Sequence, residues 1–236
     1  MTGQRRPDAG RGRGPAAPKN PGGSYRTVDH TYESAGTTFP DRRTLPCAIC
    51  DHPPTDGPGT IAESRAKDVS FVLDQLTGRR PAWRYDAGRI GMAGHSIGGA
   101  ASAATMAADR RVRAGVNLDG TFVAPVPVTG LGSRSYLMFG KQTSDQDRTW
   151  KEAWAHLNGW KRWLFVAGSS HGTFTDMPLL AALVGVPYPG ELTPGRSEQI
   201  TRTYIAAFFD WQLKGIEQPL LDGPSPANPE GTVRRP

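Results

Sequence analysis

Hydrophobic positions recur with a clear period only from about residue 60 onward. Between 60 and 78, Val69, Phe71, Val72, Leu73 and Leu76 form an apolar stripe. Thr60-Ile61-Ala62-Glu63 precedes them with capping-box spacing and Gly78 follows, which together predict a helix. Residues 89–93 are a short apolar run and predict a buried strand. It leads directly into Gly94-His95-Ser96-Ile97-Gly98-Gly99 and an alanine-rich helix over 100–108. Further strands are predicted at 112–118, 136–139 and 163–167, with a helix at 150–157. A closing helix at 197–213 puts Ile200, Tyr204, Ala207, Phe208 and Trp211 on one side. Strands alternating with helices predict an α/β fold with a mostly parallel sheet flanked by helices. Upstream, residues 25–29 are a short β-like run, and 30–59 reads as loop.

Composition divides the chain into three parts. Residues 1–24 contain no Val, Ile, Leu, Phe, Tyr or Trp, but hold Arg5, Arg6, Arg11, Arg13 and Lys19 against Asp8. Such a segment cannot bury enough apolar area to offset its ordering entropy and is expected to be disordered. The Gly/Pro-rich stretch 223–236 is expected to be a second disordered tail, leaving 25–222 as the folded domain. Most of the net charge of +6 therefore belongs to the head, and the body is close to neutral. Two Arg-Gly pairs without interleaved aromatics do not make a nucleic-acid surface. No apolar run approaches the ~18 residues of a membrane span. The head lacks the apolar centre of a signal peptide, so the chain as it stands reads as cytoplasmic. A lost upstream segment would reopen export. Two cysteines exclude a disulfide scaffold. Cys47-Ala48-Ile49-Cys50 has no second pair to complete a metal site, so the two read as incidental loop cysteines.

The chemistry concentrates at residues 94–98. Gly-x-Ser-x-Gly between a strand and a helix is a nucleophile elbow. Gly94 and Gly98 are expected to remove side chains that would collide in the turn, which lifts the Ser96 hydroxyl above the strand end. The helix start offers the Ile97 N–H to a developing oxyanion. A serine nucleophile needs a base, and the base an orienting acid. Of five histidines, His95 lies inside the elbow and is expected to point away from Ser96. His156 falls in a Trp-rich helix, and His30 and His52 precede the serine. His171, in a loop after a strand, remains as the base. For the acid, Asp119 ends the strand after the elbow helix and Asp145 follows the next strand. Spacing alone does not separate them. Asp176 reads as structural. Trp150, Trp154, Trp160 and Trp163 read first as packing residues and second as an acyl pocket.

Three features resemble the platelet-activating-factor acetylhydrolases and their bacterial lipase-like relatives. These are Gly94-His-Ser-Ile-Gly-Gly99, Leu118-Asp119 closing the next strand, and His171-x-x-Phe174-x-Asp176. The resemblance covers about 25–215. It implies an α/β-hydrolase fold, with Ser96 as nucleophile, His171 as base and Asp119 as acid, and no cofactor or metal. Related polyester-cleaving lipases place the acid one strand later, at Asp145. Small esters or short-acyl phospholipids are the implied substrates. The resemblance also implies three strands and a glycine-rich oxyanion loop before residue 25, where this chain has its basic head. The chain therefore reads as lacking the N-terminal strands. Its elbow strand would then be an exposed edge open to self-association. A missing oxyanion donor costs about 2.7–4 kcal/mol, or 10²–10³ in rate. The alternative reading is a catalytically impaired truncated hydrolase, or a non-catalytic interaction module.

Overall fold

The computed structural model describes residues 57–78 and 86–236. The β-like run at 25–29, the basic head, the cysteine pair, and His30 and His52 lie outside the described residues. The order of elements is α1 Gly59–Gly78, β1 Ile90–His95, α2 Ile97–Ala108, β2 Val112–Leu118, β3 Ser135–Lys141, α3 Arg148–His156, β4 Lys161–Val166, α4 Met177–Leu183, α5 Pro194–Lys214 and β5 Gly231–Arg234. Short 3₁₀ turns lie at Gln142–Gln146, His171–Phe174 and Pro219–Leu221. The sheet runs in the order β1-β2-β3-β4-β5, with β1 to β4 parallel and β5 antiparallel on β4. The fold is α/β. Among the described residues β1 is an edge, and no helix is long and apolar enough to cross a membrane.

The two-residue strand period explains why both faces are covered. On β3, Tyr136 and Met138 face one core with Phe122, Trp150 and Trp163, under α1, α2 and α3. Leu137 and Phe139 face the other, with Leu164, Val166 and the α5 residues Ile200, Tyr204 and Phe208. Both faces are thus apolar, as a parallel sheet between helix layers requires. The tryptophans belong to this packing. Trp150 and Trp163 are buried with ring centroids 5.6 Å apart, and Trp160 meets Phe208 and Trp211 of α5.

Helix α1 departs from its predicted stripe. Val72 and Leu76 are exposed, whereas Ala62, Ala66 and Leu73 are buried. Small residues on α1 and α2 (Ala62 against Ala100 and Ala101) let the two helices pack closely, so the contact face follows alanines rather than large side chains. The helix also begins before Thr60. The Thr60 and Ile61 N–H groups are taken by the Gly57 and Pro58 carbonyls, so no cap forms at Thr60.

The stretch 223–236 is not a loose tail. Its last part pairs with β4, Gly231 opposite Val166 and Arg234 opposite Trp163. Backbone ladder bonds hold it, and composition does not report them. An ion pair anchors its start: the Arg196 guanidinium donates to both carboxylate oxygens of Glu230, at 2.9 and 2.7 Å. That contact holds the Glu230 carboxyl below its ordinary range. Fork-on-carboxylate geometry makes this one of the stronger polar contacts. Arg196→Ala is expected to lower stability by about 1.5–3 kcal/mol. It should also speed amide hydrogen exchange in Gly231–Arg234 well before the rest of the sheet.

Candidate active site

The site lies at the carboxyl ends of β1, β2 and β4. At the end of β1 the chain turns into α2 through Ser96, whose backbone has φ 56° and ψ −125°. A non-glycine residue there is strained by roughly 1–3 kcal/mol. Hydrogen bonds on both sides fix it. The Ser96 N–H donates to the Leu118 carbonyl at 2.9 Å, and the Ser96 carbonyl accepts from Gly99 N–H at 2.8 Å. The turn demands glycine at two positions, but not the expected two. A Cβ on Gly94 would run into the Gly98 carbonyl, and one on Gly99 into the Asn117 side-chain oxygen. A Cβ on Gly98 would meet nothing within 4 Å. The required pair is therefore Gly94 and Gly99.

Asp119 follows β2 and is the second positive-φ residue that is not glycine, at 53° among the described residues. Buried Asn117 clasps the turn beyond it. Its Nδ2 donates to the Gly120 carbonyl at 2.7 Å and its Oδ1 accepts from Gly120 N–H at 2.8 Å. Gly120 in turn lies against the Ser96 carbonyl, too close for any Cβ. One asparagine therefore ties the serine turn to the aspartate turn. The Asp119 side chain is 3% exposed. Its Oδ1 accepts from the Lys141 backbone N–H at 3.1 Å, and the Lys141 ammonium lies 3.5 Å from its Oδ2.

His171 opens the 3₁₀ turn after β4. Ser170 N–H bonds the Thr173 hydroxyl at 2.8 Å and sets the entry to that turn. The imidazole spans the gap between the two strands. Its Nδ1 is 2.8 Å from Asp119 Oδ2 and its Nε2 is 3.1 Å from Ser96 Oγ. The carboxylate can only accept, so Nδ1 carries the proton and bare Nε2 faces the hydroxyl. The three residues singled out from sequence thus meet in one hydrogen-bonded line. Ile97 is the first residue of α2, beside Ser96. Asp145 lies exposed in the turn Gln142–Gln146, and the His171 Nδ1 partner is Asp119. Asp176 is exposed just before α4, and His156 bonds the Val126 carbonyl through Nδ1 at 2.8 Å.

His95 does not turn away from the site. Its Nε2 is 2.7 Å from the His171 carbonyl oxygen, and the two imidazole centroids are 4.5 Å apart. A carbonyl only accepts, so His95 donates and steadies the loop that carries His171. Burial holds its pKa below the ordinary histidine value, partly offset by that hydrogen bond. A histidine with a depressed folded-state pKa contributes stability above its unfolded pKa of about 6.5, and that stability is lost as pH falls through the folded value. Gln at this position keeps an N–H donor and cannot titrate. His95→Gln is therefore expected to flatten the loss of stability between pH 7 and pH 5, read from urea midpoints. Asn117, Lys141 and this role of His95 were not legible in the sequence. The only sign was a polar Asn117 between the apolar Val116 and Leu118, directly before Leu118-Asp119.

Comparison with known proteins matches this architecture. The family profile described as platelet-activating factor acetylhydrolase, isoform II, matches residues 66–213. A curated relative from Arthroderma benhamiae, a probable 1-alkyl-2-acetylglycerophosphocholine esterase, is 34% identical over 187 residues, 70% of this chain and 47% of the relative. The solved ferulic acid esterase from Streptomyces cinnamoneus superposes with a TM-score of 0.75 at 44% identity, over 88% of this chain and 64% of that one. The chain thus spans about half the length of the curated relative and less than two thirds of the solved one. With a profile match running from α1 through most of α5, this chain belongs to the platelet-activating factor acetylhydrolase, isoform II family.

Proposed function

We propose that the chain carries the catalytic machinery of a serine carboxylic-ester hydrolase. The observation that carries this reading is the line Ser96 Oγ, His171 Nε2, His171 Nδ1, Asp119 Oδ2, with gaps of 3.1 and 2.8 Å. Ser96 Oγ attacks the ester carbonyl while Nε2 of His171 takes its proton. The carbonyl oxygen gains charge and receives the Ile97 N–H at the start of α2, where the helix dipole adds to the hydrogen bond. Asp119 stays ionised and holds the imidazolium formed at Nδ1. The imidazolium then returns its proton to the departing alcohol, leaving an acyl-Ser96. Water, deprotonated by Nε2, releases the acid by the same steps in reverse order. Lys141 donates its backbone N–H to the second carboxylate oxygen, so Asp119 presents a fixed edge to His171.

Small-acyl carboxylic esters are the proposed substrates. The relatives' names, a probable 1-alkyl-2-acetylglycerophosphocholine esterase and a ferulic acid esterase, share ester cleavage and name different acyl groups. The reading therefore commits to the bond cleaved. A fluorophosphonate probe tests it. Incubated with the full chain, the probe should form one adduct, and peptide mass analysis should place it on Ser96. An unlabelled chain, or an adduct elsewhere, overturns the assignment.

A further inference from the structure

At the opposite end of the sheet from Ser96 there is a cleft of about 480 Å³ between the end of α2 and the loop before β3. Arg110, Arg113 and Arg134 line it, with Thr129 and Ser133 beside them. Arg134 is half-buried and fixed by backbone alone. Its Nε donates to the Leu131 carbonyl at 2.8 Å, and its Nη1 to those of Asp109 and Val112 at 3.1 and 3.2 Å. The nearby carboxylate of Asp109 is already engaged by Arg111, through Nε at 3.0 and 3.1 Å and Nη2 at 2.6 Å. None of the three arginines lining the cleft forms an ion pair among the described residues. Burial, and then the charges of Arg110 and Arg113, push the Arg134 pKa below the ordinary arginine value. Three like charges therefore converge on one concavity, and among the described residues the nearest opposing charge is the Asp109 carboxylate that Arg111 already engages.

We propose that this cleft binds a phosphate group, held by Arg110, Arg113 and Arg134. Charge and geometry together select the ligand. A monocarboxylate would neutralise one of three cations. A phosphate monoester carries about −1.5 to −2 at neutral pH and three acceptor oxygens that guanidinium forks can engage from separate directions. Thr129 and Ser133 add hydroxyls at the rim. Strands of six or seven residues at about 3.3 Å each put the cleft about 20 Å from Ser96, so a phosphate here leaves the catalytic end free. A bilayer docked at this end would turn Ser96 away from the lipid, which favours a soluble phosphate compound over a lipid headgroup.

Isothermal titration of the full chain with inorganic phosphate and with pyrophosphate tests the site. Sedimentation with phosphatidylcholine vesicles, with and without phosphatidate, forms the second arm. Wild type should bind pyrophosphate saturably at one site. Arg110→Gln combined with Arg113→Gln removes two exposed side chains that make no hydrogen bond or ion pair among the described residues, and should weaken binding at least tenfold. Arg148→Gln combined with Lys151→Gln removes the same charge from exposed positions on α3 and should bind as wild type does. Saturable binding of the free anions assigns the site to a soluble phosphate. Binding of phosphatidate vesicles alone, lost in the Arg110/Arg113 variant, keeps the phosphate site and assigns it to a headgroup. No binding in either arm, or equal weakening in both double variants, overturns the proposal. Fluorophosphonate labelling of Ser96 reads the catalytic assignment separately and should be equal in all three proteins.

Discussion

Ser96→Ala is expected to lower kcat for p-nitrophenyl acetate by about 10⁶, with KM little changed. The reason lies in what the hydroxyl contributes. It makes no contact that holds the turn, since the backbone bonds to Leu118 and Gly99 do that. Its hydrogen-bond partner is His171 Nε2, at 3.1 Å. Removing it deletes the proposed attacking atom and leaves the architecture standing, so the unfolding midpoint should stay near the wild-type value. Substrate should still reach the proposed oxyanion donor, the Ile97 N–H, so ground-state binding is expected to persist. Steady-state kinetics on the purified variant, with circular dichroism as the folding control, reads both halves. A variant that retains wild-type kcat removes Ser96 from the chemistry.

Asp119→Asn is expected to reduce kcat by about 10⁴, and Asp145→Asn to leave it unchanged. The carboxylate accepts from His171 Nδ1, and that acceptance places the single imidazole proton away from the serine. The Asn amide nitrogen would donate to Nδ1 instead. The ring would then carry its proton on Nε2, facing Ser96 Oγ, where it cannot act as a base. The Lys141 backbone N–H, which donates to Oδ1 at 3.1 Å, keeps the amide oxygen on its own side and so leaves the amide nitrogen facing His171. Asp145 is exposed in the turn after β3, so its substitution serves as the control. If the Asp145 variant lost activity and the Asp119 variant kept it, the acid would belong one strand later.

What could be read from sequence depended on how local the signal was. Strand β2 is a run of mostly apolar residues buried on both faces, and its bounds at Val112 and Leu118 follow from the pattern alone. Ser96 and His171 were also local, one set by a glycine turn and the other by a loop after a strand. The choice of Asp119 over Asp145 was not local. It depends on which strand end faces the His171 loop, a property of strand order and register that spacing does not carry. Strand β5 was hidden for a related reason. Its residues have little apolar content, and a ladder with β4 and an ion pair from α5 hold it in place. Helix α1 misled in the other direction, because its large residues are exposed and its alanines make the contact.

The glycine geometry at the elbow also changes what the motif means as a filter on sequences. Position 98 sits in the first turn of α2 with open space where a Cβ would go, while positions 94 and 99 press on a carbonyl and on the buried Asn117 amide. In a pool of variants randomised over 94–99 and sorted for hydrolysis, alanine and serine should survive at 98 and be purged at 94 and 99. The alphabet permitted by this backbone is Gly-x-Ser-x-x-Gly. Its last letter is written by an asparagine eighteen residues downstream on the neighbouring strand.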